Sequence, residues 1–205
     1  MDLGFDIDEW NSVEPKEFGE FENLELGGHE VIIKKAELYK SEQSGNTSLK
    51  VEVDIAGKDK QVGFFQKQYD NNIMAERKWP AGATRYLSLK KESLAYTKGF
   101  ITALENSNNN FKFDTSKGWD QLDGLHCAGV FGLEQYTSSD GKTKAATKLL
   151  QFRSLDKLAE IKIPNVKLLN GNTIPYEEYL KNSTNSTPEE IFGEEEVVID
   201  ENFLD

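Results

Sequence analysis

Aromatic residues interleaved with cations are the part of this chain best suited to chemistry, and they fall in three stretches. The first holds Phe64, Phe65, Lys67 and Tyr69. The second holds Arg77, Lys78 and Trp79, with Arg85 and Tyr86 a few residues on. The third runs from Tyr136 through Lys142, Lys144 and Lys148 to Phe152 and Arg153. Rings give the bases of an unpaired strand a face to stack on, at about 1–3 kcal/mol per base and with little regard to sequence, while lysine and arginine follow the phosphates. The pattern points to binding of a single strand in which no covalent bond is made or broken. Taken one by one, Phe64 and Phe152 suit a core, whereas Trp79, between Lys78 and Pro80, suits a loop that faces a ligand.

Catalytic patterns are missing. GxxxxGK[ST], HExxH, GxSxG and CxxC do not occur, and two histidines leave little for acid–base work. Asp120 and Asp123 could hold Mg²⁺ in a nuclease, but acids are too common here to single this pair out. His29, His126 and Cys127 fall short of a four-ligand zinc site, so neither metal nor cofactor is expected, and Cys127 reads as a small core residue.

The formal charge of −12 would argue against nucleic acid if it were spread evenly, and it is not. Residues 1–26 carry nine acids and one base, and residues 182–205 carry eight acids and no base, which leaves 27–181 with a net +4. The chain divides into an acidic N-terminal arm (1–26), a mildly basic body (27–181) and an acidic tail (182–205). The tail cannot bury enough apolar surface to offset its ordering entropy and is expected to be disordered. Its acids Glu194, Glu195, Glu196, Asp200 and Glu201 are followed by Phe203 and Leu204, the composition of a peptide made to be bound. With no run of about 18 apolar residues, and with Asp2, Asp6, Asp8 and Glu9 where a signal peptide carries bases, a soluble intracellular protein without membrane contact is expected.

The elements that would position the three stretches follow from periodicity. His29–Lys40 is a strand whose apolar phase slips at Lys34-Lys35, the mark of a bulge. Leu49, Val51, Val53 and Ile55 alternate as a second strand, and Gln61–Phe65 reads as a third. Residues 66–86 read as irregular. A helix over Lys90–Asn106 carries Tyr96, Phe100, Ala103 and Leu104 on one face. A fourth strand begins at Gly124, Ser138–Gly141 turns a hairpin, and Lys144–Arg153 is the fifth. A short helical piece over Ser154–Glu160 leads into loop and tail. The order β-β-β-α-β-β, with one helix between strands 3 and 4, predicts a mainly β single domain of the OB-fold type, a five-stranded Greek-key barrel that binds oligonucleotides and oligosaccharides. A β-sandwich without that helix is the other arrangement the pattern allows.

The stretch Gly99–Asn106 with Phe111–Phe113, followed by Gly129–Tyr136, Asp140-Gly141-Lys142 and Phe152–Ser154, resembles the phage-encoded single-stranded-DNA-binding proteins of tailed phages infecting Gram-positive bacteria. The likeness covers roughly residues 24–175. It implies an OB-fold acting on single-stranded DNA during phage replication or recombination, in the cytoplasm of a bacterial host. The tail is similar to the acidic C-terminal tails of bacterial single-stranded-DNA-binding proteins, which dock on replication and repair enzymes. Those tails usually end in proline and phenylalanine, whereas this one ends Phe203-Leu204-Asp205 without a proline. The resulting expectation is a non-enzymatic, sequence-tolerant binder that recruits replication or recombination proteins through its tail. The alternative is a protein-interaction module or DNA mimic whose acidic ends hold a basic protein. Pairing of subunits through an edge strand or the arm is left open.

Overall fold

A computed structural model describes residues 6–12, 23–42 and 44–183. The architecture is mainly β, one mixed sheet of seven strands with a few helices. The strands are β1 (Gly27–Lys40), β2 (Thr47–Ile55), β3 (Thr84–Ser88), β4 (His126–Thr137), β5 (Thr143–Arg153), β6 (Val166–Lys167) and β7 (Thr173–Ile174). The helices are α1 (Ile7–Ser12), α2 (Phe64–Asn71), α3 (Leu94–Ser107) and α4 (Tyr176–Ser183). No helix among the described residues is long and apolar enough to cross a membrane.

The long first strand organises the sheet. β1 pairs antiparallel with β4 over Gly27–Ile32 and with β2 over Val31–Lys40, and the register slips between Ile33 and Lys35, where the sequence pattern places a bulge. The extra residue bends the strand where its β4 partner ends. Beyond that point other groups satisfy its free edge: Ile33 N–H donates to Leu125 O at 2.8 Å and Ala36 N–H to Asp123 Oδ1 at 2.9 Å. β2 pairs with β3, and β4 with β5, both antiparallel. The resulting run is β3-β2-β1-β4, with β5 on the far edge of β4 and β6 alongside Glu134 of β4 in a parallel pairing. β3 and β5 approach one another across a seam.

One face of these strands forms the main core, built on Val31, Ile33, Leu49, Val51, Val53, Ile55, Phe65, Phe100, Leu104, Cys127, Phe131 and Leu149. A second, smaller core of Leu133, Ala145, Val166 and Tyr179 lies under the β4–β5 hairpin, against α4. Leu24 is buried in the main core, and the Gln61 side chain holds the incoming chain, accepting from Glu25 N–H and donating to Asn23 O.

Several expectations need correction. Gln61–Phe65 is not a strand. Gly63 adopts φ 72, and the chain turns directly into α2, so that Phe64 and Phe65 both enter the core as neighbours on a helix. The N-terminus of α2 lacks a local cap. Asp54, across the sheet on β2, accepts from the N–H groups of Phe65 at 3.0 Å and Gln66 at 3.4 Å, as well as from Ile55. The third strand is Thr84–Ser88, which begins within the segment read as irregular and runs two residues past its end. On α3, Tyr96 is 77 % exposed and Thr97 takes its place beside Phe100 and Leu104, because the buried face is set by where the helix meets β3, β4 and β5. The segment read as loop after Glu160 contains β6, β7 and α4, and α4 runs to Ser183, past the expected start of the tail. The remaining tail, with Glu194, Glu195, Glu196, Asp200, Glu201, Phe203 and Leu204, lies outside the described residues.

Candidate nucleic-acid interface

The register places nine outward-facing residues of β1, β2 and β3 in three rows. Lys35, Glu52 and Thr84 form the first, Glu37, Lys50 and Tyr86 the second, and Tyr39, Ser48 and Ser88 the third. Tyr39 and Tyr86 occupy diagonal positions of this lattice and lean together over the small Ser48, with ring centroids 5.0 Å apart and planes 59° to one another. Both rings are exposed, at 40 % and 48 %. They border a cleft of about 670 Å³, walled on one side by the β1–β2 turn (Ser41, Ser44, Asn46) and on the other by Ser88, Lys90, Glu92 and Ser93 at the entry to α3. Beside the rings, Lys50 lies 2.5 Å from Glu52 and 3.6 Å from Glu37, and Lys35 lies 2.7 Å from Glu37. The hydrogen bond from Lys35, helped by the charges of Lys35 and Lys50, holds the Glu37 carboxyl below its ordinary range against the opposing effect of burial.

A second aromatic pair stands at the bulge. Tyr69 of α2 and Trp79 have ring centroids 5.5 Å apart, and the Lys34 ammonium is 5.9 Å from the indole centroid. Trp79 is half-buried against the main core, and its indole N–H donates to Val53 O at 2.9 Å. Val53 lies one residue past the last β2–β3 pair, Glu52 with Thr84, so the indole takes the place that a backbone donor of β3 would fill. Trp79 is thus tied to the fold through its indole N–H while its ring stays partly exposed. Exposed cations border it: Lys67 on α2, and Arg77 and Lys78 in the preceding loop.

The remaining site residues divide in the same way. Phe64 and Phe65 are 7 % and 2 % exposed and pack edge-on to each other, with Phe65 stacked on Phe131, so neither offers a face to a base. Phe152 packs on Phe100 at 4.3 Å inside the body. Arg85 pairs in register with the core residue Val51 and is half-buried, its Nε without a hydrogen-bond partner among the described residues. Arg153 is exposed and donates to Gln151. Tyr136 and Lys144 face each other across the β4–β5 hairpin, with Lys148 opposite Gly132 and Lys142 in the turn beside Asp140. This hairpin extends past the Gly27 end of β1, while the tyrosine cleft lies at its Lys40 end, so the structure does not merge the two groups.

Tyr39, Lys35, Lys50 and Lys90 are the members of the exposed face that sequence reasoning missed. The available signal was the bulge: once the phase of β1 is shifted by one residue after Ile33, Lys35, Glu37 and Tyr39 all fall on the outer face. Asp123 supports β1 through Ala36, burial of Cys127 pushes its thiol far up, and His29 and His126 bond to Asp59 and Glu30. Among the described residues no three His, Cys, Asp or Glu side chains converge on a metal position.

No curated protein matches the chain. A family model described as a protein of unknown function (DUF669) matches residues 10–112, half of the sequence. The match holds β1, β2, β3, α2 and α3, and so the whole of the cleft at Tyr39 and Tyr86, while stopping short of β4 and β5. On that match the chain belongs to the DUF669 family.

Proposed function

We propose that this protein is a non-enzymatic single-stranded-DNA-binding protein of phage replication or recombination, working in the cytoplasm of a bacterial host. Its central domain is read as an OB-type barrel. The strand run β3-β2-β1-β4-β5, the helix α3 between β3 and β4, and the approach of β3 to β5 support that reading. The observation that carries the functional reading is the exposed Tyr39–Tyr86 pair above a hydroxyl-lined cleft. Two large rings held in water by a sheet cost the fold stabilisation that burial would have supplied, and base stacking is the use that returns it. Lys90 at the cleft wall, and Arg77 and Lys78 beside the second pair, give a backbone places to run. The acidic tail would recruit replication or recombination proteins and compete with DNA for the body.

The test is a fluorescence-anisotropy titration of a labelled oligo-dT with the full chain, with Y39A/Y86A, and with a chain ending at Ser183, the last residue of α4, against a duplex competitor. Preference for the single strand is expected, with tighter binding by the shortened chain. The double variant should lose affinity by about 2 kcal/mol or more, since each ring contributes about 1–3 kcal/mol of stacking. No binding by the full or the shortened chain would reject the reading and turn attention to a basic protein partner for the acidic ends.

A further inference from the structure

The face that carries the tyrosine pair is charge-neutral where a polyanion binder would be expected to be basic. Lys35 and Glu52 stand opposite each other across β1 and β2, and Glu37 and Lys50 stand opposite each other in the next row, so the four charges alternate as a checkerboard. Three contacts close it: Lys35 to Glu37, Lys50 to Glu37 and Lys50 to Glu52. Tyr86 lies opposite Lys50 on β3, and Tyr39 is two residues from Glu37 on the same face of β1. A strand that runs from the two rings along the rows toward Lys50 and Lys35 would bring its phosphates over these carboxylates.

Resting on the single-strand reading above, we infer that Glu37 and Glu52 attenuate nucleic-acid binding: they hold Lys35 and Lys50 in internal ion pairs, and a phosphate must displace a carboxylate to reach either lysine. The degree of exposure supports exchange. The Lys35 and Glu37 side chains are 54 % and 38 % exposed, so their pair is open to solvent and to competition, whereas Lys50 and Glu52, at 22 % and 12 %, form the firmer half. An exposed pair such as Lys35–Glu37 contributes little to folding, so its placement beside the rings makes sense as control of affinity rather than of stability. The consequence is a binder that holds a strand chiefly by stacking and lets it go readily, as a protein that must be stripped from DNA by other enzymes requires.

The decisive experiment compares wild type, E37Q, E37Q/E52Q and, as a control of equal charge change, E177Q/E178Q on α4, each as the full chain binding oligo-dT over a series of salt concentrations. Glutamine preserves the shape, and E37Q alters an exposed side chain whose ion pairs contribute little to folding. The expected result is a gain of about threefold from E37Q, which frees Lys35 and leaves Lys50 paired with Glu52, and about tenfold from the double variant, which frees both lysines, at low salt. The slope of log affinity against log salt should also steepen by about 0.7 for each lysine released to a phosphate of the single strand. Wild-type binding with E37Q/E52Q unchanged in affinity and slope would overturn the inference while leaving the binding function standing. An equal gain from E177Q/E178Q would overturn it too, by assigning the effect to net charge. Failure of every variant to bind would reject the single-strand reading and the attenuation with it.

Discussion

The two aromatic pairs look alike as geometry and differ as chemistry. Tyr69–Trp79 and Tyr39–Tyr86 have ring centroids 5.5 and 5.0 Å apart, each pair has lysines within reach, and each sits beside β2. Trp79 has spent its indole N–H on Val53 O and one face on the core, and Tyr69 is fixed by the helix that Asp54 caps. Tyr39 and Tyr86 present their rings to water above a cleft. The spacing of aromatics and cations in a sequence therefore identifies candidates, and what each ring has already committed to the fold decides among them.

The widest separation should appear in stability. W79A removes a half-buried indole and leaves Val53 O without its donor, and is expected to cost about 2–3 kcal/mol by urea denaturation. Y39A and Y86A should each cost less than about 1 kcal/mol, because exposed positions contribute little. A tyrosine variant as damaging as W79A would break the comparison by making the platform a structural element.

The next contrast concerns the support of the Tyr69–Trp79 pair. Asp54 is 5 % exposed, and burial pushes its carboxyl above the ordinary range even though the N–H groups of Ile55, Phe65 and Gln66 pull the other way. D54A strands the first amides of α2 and should cost about 1–2 kcal/mol, in the range of lost helix caps, whereas D54N keeps an acceptor oxygen and should cost less. The pH dependence has a definite sign. A carboxyl whose folded pKa is raised binds its proton more readily in the folded state, so its contribution is favourable at low pH and declines as pH rises from the unfolded value through the folded one. The stability gap between D54N and wild type, followed by denaturation across the acid range, should shift in favour of D54N as pH rises. A shift the other way would mean that the three N–H groups outweigh burial. Neither variant should change the affinity of the tyrosine cleft beyond what partial unfolding explains.

These differences also mark what could be read in the sequence. The bulge of β1, the alternation of β2, the β4–β5 hairpin and the helix before β4 were legible because each rests on local periodicity or turn chemistry. Gln61–Phe65 was misread because Val62, Phe64 and Phe65 carry strand propensity, while the acceptor that converts them to a helix start, Asp54, comes from another strand. Tyr86 was legible as a ring among cations, yet its partner Tyr39 was not, since they meet only through the β1–β2–β3 register. The structural share of Trp79 was not legible, because its hydrogen bond to Val53 is a tertiary event with no local trace.

Lys34 gives the finest test of the boundary between the two regions. It is the extra residue of the bulge, exposed, with its ammonium 5.9 Å from the Trp79 centroid, and its charge also acts on Asp54. An exposed cation over a ring is worth about 0.5–1 kcal/mol, so K34A should lower stability by roughly that amount, and K34M, which keeps the aliphatic stem on the indole, by less. If Lys34 belongs to the structural pair, its removal should leave oligo-dT affinity within about twofold and the salt slope unchanged. A loss of stability below detection, together with a salt slope shallower by about 0.7, would instead assign the ammonium to a phosphate. The binding face would then run from the tyrosine cleft across the bulge, with the indole serving to aim Lys34 at the strand.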